Sequence, residues 1–105
     1  MIEIKIIPDT TSFGVRIALF KDDEKVTSFN YEILDDLTFL SLKDTPFKGP
    51  ELSLKDAVLE LATMMKNDSP EKLSDVSIDE IVEAFEPLIK KYKIKRWDGE
   101  YLPFQ

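Results

Sequence analysis

Apolar and polar positions alternate along the first third of the chain, and the apolar spacing lengthens to that of a helix in the second half. Ile2, Ile4 and Ile6 alternate with Glu3, Lys5 and Ile7 as far as Pro8, and this period of two predicts a half-buried strand. Turn-forming residues 9–12 follow. Phe13, Val15, Ile17 and Leu19 then share one face, with Gly14, Arg16, Ala18 and Phe20 on the other, which predicts a second strand joined to the first by a hairpin. The polar stretch 21–25 separates Phe20 from Val26. Beyond it Phe29, Tyr31 and Ile33 stand opposite Ser28, Asn30 and Glu32, a third strand after a second hairpin. Residues 34–42 fit one helical turn through Leu37, Leu40 and Ser41, or a short strand with Leu40 and Leu42 against Phe39 and Ser41. A fourth strand or an irregular crossover is the favoured reading.

Pro46, Gly49 and Pro50 interrupt regular structure between sheet and helices. Leu54, Ala57, Val58, Leu61, Ala62 and Met65 recur at helical spacing behind Ser53, with Asp56 three residues on. Together these predict a capped helix over 53–66. Residues 67–75 are polar and read as a surface loop, with a short turn at Ser69-Pro70. Ser77 and Glu80 form a full capping box ahead of the stripe Ile78, Ile81, Val82, Phe85, Leu88, Ile89 and Tyr92, the strongest helix signal in the sequence. Pro87 interrupts this stripe and removes the amide that would bond Glu83, so a kink near Glu86 is expected. After Tyr92, residues 93–97, the Asp98-Gly99 pair and residues 100–104 suit a small hairpin, with Pro103 confining its last strand to an edge.

Strands first and helices next imply an α+β fold: an antiparallel sheet of three to four N-terminal strands, two C-terminal helices packed on one face, and a short C-terminal hairpin. At 105 residues, with 43% hydrophobic and 10% aromatic residues, the chain is expected to form a single α+β domain over 1–105 rather than stay disordered, despite 33% charged residues. There is no repeat at a fixed period and no low-complexity tract. The start of the sequence alternates instead of building an apolar core for secretion, and no apolar run approaches membrane-spanning length, so a cytoplasmic protein without membrane contact is expected.

Composition narrows the chemistry further. With no histidine and no cysteine, imidazole bases, Ser/His/Asp and Cys/His nucleophiles, disulfides and thiolate zinc sites are excluded. Three glycines, at 14, 49 and 99, cannot build a phosphate-cradling loop. No catalytic residue, cofactor or metal site is assigned. The carboxylate pairs Asp22-Asp23, followed by Glu24, and Asp35-Asp36 could hold a hard divalent ion through oxygen, but neither has the spacing of a calcium loop.

Charge is unevenly placed. Lys90, Lys91, Lys93, Lys95 and Arg96 supply +5 and Asp98 and Glu100 supply −2, so the net −7 leaves −10 on residues 1–89. An acidic body steers toward a basic partner and raises association rate more than affinity. The expectation is therefore a non-enzymatic interaction module of the inhibitor, immunity, antitoxin-like or phage and mobile-element accessory kind, with a protein partner. Its candidate partner-binding residues are Asp22, Asp23, Glu24, Asp35, Asp36, Phe47 and Phe104, the last two because apolar side chains in a loop and near the chain end need something to dock on. The alternative is a nucleic-acid-binding module using Lys90, Lys91, Lys93, Lys95, Arg96 and Trp97, cations beside rings on which bases could stack. The same residues also suit a helix end complementing its macrodipole and a charged edge strand, which is the more economical explanation. Open strand edges and Phe104 also leave room for a homodimer.

Overall fold

The structure, a computed structural model, describes residues 1–8, 14–34, 38–41, 53–94 and 96–97. Strand β1 (Ile2–Pro8) pairs antiparallel with β2 (Val15–Lys21), Ile4 opposite Leu19 and Ile6 opposite Ile17. β2 pairs antiparallel with β3 (Glu24–Leu34), Ile17 opposite Phe29 and Val15 opposite Tyr31, with a register shift between Leu19 and Phe20. β4 (Thr38–Ser41) continues the antiparallel order beside β3. Helices α1 (Leu54–Asp68) and α2 (Ile78–Tyr92) follow, so the chain is α+β, strands first and helices second.

The period of two does what sheet geometry requires. Ile4, Ile17, Leu19 and Tyr31 share one face and are buried against Ala57, Val58, Leu61, Ala62 and Met65 of α1 and Ile81, Phe85 and Leu88 of α2. α2 lies along β1, and α1 packs against α2 and over β3. Each fully buried Leu, Ile or Phe side chain in this layer removes enough apolar surface from water to favour folding by about 1.5–3 kcal/mol.

Both helices start as the sequence predicts. Ser53 Oγ accepts the Asp56 N–H at 3.1 Å. Ser77 Oγ accepts the Glu80 N–H at 3.1 Å, and Glu80 Oε1 accepts the Ser77 N–H at 3.1 Å, a reciprocal box that satisfies two otherwise orphaned donors. α2 runs as one helix through Pro87, an exposed position, although the proline supplies no donor for the Glu83 carbonyl. It ends at Lys93, which takes a left-handed conformation (φ 54°, ψ 45°). The Ile94 N–H then bonds the Ile89 carbonyl at 3.1 Å and Ile94 enters the core, a hydrophobic anchor of the kind that accompanies such helix ends.

Two local expectations change and one pairing is added. The added pairing follows α2: β5 (Arg96–Trp97) lies parallel to β4, Arg96 opposite Thr38 and Trp97 opposite Phe39, so the sheet has the order β1-β2-β3-β4-β5. Burial of Ile94 turns the chain back over the core, where the open edge of β4 offers backbone partners. The hairpin's second strand, residues 100–104, lies outside the described residues. The connection between the helices is a series of turns whose Leu73 is fully buried and whose Val76 is nearly so, rather than a surface loop. The polar stretch 21–25 contracts to a two-residue turn, because Lys21 pairs with Glu24 and only Asp22 and Asp23 remain unpaired.

Candidate functional site

Asp22 and Asp23 make the tightest hairpin connection open to antiparallel strands. Both have positive φ, 52° and 70°, as a type I′ turn demands, and aspartate tolerates this region better than most side chains. The sequence therefore places two carboxylates at a hairpin tip with Glu24 next to them, all exposed.

Side-chain contacts pin that tip to the connection between the helices. Lys21 Nζ donates to the Lys72 carbonyl at 2.9 Å and to Asp75 Oδ1 at 2.6 Å. Thr27, itself buried, donates to Asp68 Oδ2 at 2.5 Å, and Ser69 Oγ donates to the Val26 carbonyl at 3.4 Å. Lys66 Nζ bonds the Val76 carbonyl at 2.7 Å. The result gathers Asp22, Asp23, Glu24, Asp68 and Asp75 at the end of the molecule from which α2 departs, with Asp79 and Glu80 in its first turn. Asp68 and Asp75 sit in a polar stretch with no feature of its own, and only the fold brings them to the hairpin.

Two of these carboxylates are held ionised. The N-terminal ammonium of Met1 contacts Asp22 Oδ1 at 2.6 Å and lowers its pKa below the ordinary 3.8, first through that hydrogen bond and then through its charge. The Lys21 hydrogen bond likewise lowers Asp75. Both groups are exposed, so their contribution to stability is small. Its sign is definite: a depressed carboxylate pKa stabilises the fold above 3.8, and that stabilisation is lost as pH falls through the lower folded-state value. In a carbon-detected NMR titration, Asp22 and Asp75 should each titrate below 3.8. Lys21→Met should return Asp75 toward 3.8 and move Asp22 less, and an unmoved Asp75 would mean that the Lys21 contact does not persist in solution.

No family model, curated protein or solved structure matches this chain. The chemistry open to the surface must therefore be read from geometry. Among the described residues no group of three or more carboxylates converges on a metal-sized site, and no helix is long and apolar enough to cross a membrane. The acidic end borders an open hollow of about 340 Å³ formed by Met1, Glu3, Phe20, Asp22 and Asp23.

The basic residues take the far end of α2, about 22 Å away for a helix of this length at 1.5 Å per residue. Lys90, Lys91 and Lys93 are exposed there. Lys90 pairs with Glu86 at 3.2 Å one turn back, and Lys91 lies over the Tyr92 ring at 5.3 Å. Arg96 and Trp97 belong to β5, so their backbone completes the sheet. Asp35, Asp36, Phe47, Lys95 and Phe104 lie outside the described residues.

Proposed function

We propose that this protein is a small acidic interaction module of the cytoplasm, without catalytic activity of its own, that docks on a basic macromolecular partner, as inhibitors, immunity proteins, antitoxin-like modules and mobile-element accessory proteins do. The observation that carries the reading is the acidic end: a type I′ tip bearing Asp22, Asp23 and Glu24, tied through Lys21 to Asp75, a few residues ahead of the acidic first turn of α2. Exposed carboxylates on a short turn, of which Asp23 and Glu24 make no ion pair among the described residues, suit electrostatic steering of a cationic surface. The absence of histidine and cysteine from the whole sequence favours a binding role over hydrolytic or redox chemistry.

The test is a neutralised tip. Asp22→Asn and Asp23→Asn keep side chains that accept positive φ, and Glu24→Gln keeps shape, so the turn should survive the loss of charge. Captured from native lysate with nuclease present, the partner should bind the triple variant with an association rate at least about tenfold slower, and with a weaker salt dependence than wild type. Equal rates and equal salt dependence would overturn the reading. The second reading, nucleic-acid binding through Lys90, Lys91 and Lys93, rests on their exposure at one end of α2. Under it the captured material would be nuclease-sensitive and lost at modest salt.

A further inference from the structure

Among the described residues β1 is the edge strand of the sheet, with β2 on one side and no strand on the other. The Asp22 N–H bonds the Met1 carbonyl at 3.0 Å, so Met1 turns its backbone toward β2. Antiparallel pairing alternates hydrogen-bonded and non-hydrogen-bonded positions. Glu3, Lys5 and Ile7 therefore also bond β2, while the N–H and C=O groups of Ile2, Ile4 and Ile6 point away from it. Among the described residues no turn, loop or cap hydrogen bond uses these groups. Pro8 falls in the same outward series, where its missing N–H costs the sheet nothing.

Beside this edge runs a groove of about 440 Å³, walled by Ile2, Ile4 and Ile6 of β1 and by Ala84, Pro87 and Tyr92 of α2. An open row of amides next to an apolar groove is the geometry that accepts an added strand.

The residues along the edge select the occupant. We infer that β1 pairs antiparallel with β1 of a second copy of this chain, about a two-fold axis through Ile4, joining the two sheets into one. In that register Ile4 faces its own copy and Ile2 faces Ile6, all three with outward backbone groups, so the pairs can exchange roughly six hydrogen bonds. Glu3 then stands opposite Lys5 of the second copy, and Lys5 opposite its Glu3. Slipping the strands by two residues keeps the hydrogen-bond parity but loses this match: one direction sets Lys5 against Lys5, the other Glu3 against Glu3. Like charges directly opposite disfavour pairing. Hydrogen-bond parity, charge and hydrophobic pattern thus converge on a single register of Ile-Glu-Ile-Lys-Ile, and the arrangement is isologous, as a closed dimer requires. In the single chain Glu3 and Lys5 are exposed and only 3.6 Å apart along the strand, with Lys5 over the Phe20 ring, so both can turn to a partner.

Sedimentation equilibrium tests this on the full chain. Wild type should show a monomer–dimer equilibrium at concentrations below roughly 1 mM. Glu3→Lys alone and Lys5→Glu alone place like charges at every cross-strand contact and should each weaken dimerisation at least about tenfold. An equimolar mixture of the two single variants restores opposite charges across the strands and should regain dimer mass. Both positions are exposed, so the variants should keep the wild-type circular dichroism spectrum. Should one fail to fold, the double variant with both changes carries the test, since it should dimerise with itself and exclude wild-type chains. A monomeric wild type through 1 mM, single variants that dimerise like wild type, or a mixture or double variant without this pattern would each overturn the inference.

Discussion

Replacing Phe85 by alanine should lower the free energy of unfolding by about 3–5 kcal/mol, a large part of the roughly 5–15 kcal/mol that holds a domain of this size. Phe85 is fully buried at the centre of the α2 stripe, where it meets sheet and α1 in one cluster. Its removal forfeits the transfer free energy of the ring and leaves a cavity that rigid neighbours close only in part. The measurement is urea unfolding at fixed protein concentration, where the midpoint should fall while the slope stays constant. A loss below 1 kcal/mol would mean that α2 does not seat against the sheet as described.

Leu73 should behave the same way, although it lies in a segment whose composition suggests a solvated loop. Leu73→Ala is expected to cost about 2–5 kcal/mol because the side chain is fully buried. The neighbouring chain supplies a control. Leu59 occupies α1 with 48% of its surface exposed, and Leu59→Ala should shift stability by no more than about 0.5 kcal/mol. The contrast also reaches the acidic end. Leu73 holds the turns that present the Lys72 carbonyl and Asp75 to Lys21, so its loss should let the Asp75 pKa rise toward the ordinary value. Equal costs for the two leucines would show that the turns between the helices are not anchored.

How these residues come together was only partly legible beforehand. The three N-terminal strands, both helices and both serine caps follow from local rules: alternation sets a strand's buried face, a stripe of period 3.6 sets a helix's, and a serine with an acidic residue three positions on sets where the helix begins; the local pattern at 34–42 fits a helical turn as well as a strand, and pairing with β3 makes 38–41 a strand. Each of these signals is complete within a dozen residues. The tip carboxylates were legible for the same reason, because a polar stretch between two strands must be a turn.

Other features depend on residues distant in the chain. Arg96–Trp97 join the sheet because β4 presents an open edge at the place where Ile94 must dive into the core, and no local pattern encodes the parallel partner. Leu73 reads as one apolar residue in a polar loop until the core that it joins exists for it to fill. Asp68 and Asp75 are unremarkable until Thr27 and Lys21 reach them across 41 and 54 residues of sequence. The Ile-Glu-Ile-Lys-Ile segment shows the division most plainly. Its self-complementary order stands in the sequence, but only the sheet decides that β1 is an edge and that its isoleucines carry the outward amides. Local periodicity and capping are settled by the few residues that carry them. Strand order, edges and the clustering of charge are settled by which buried surfaces exclude water together, a property of the assembled fold.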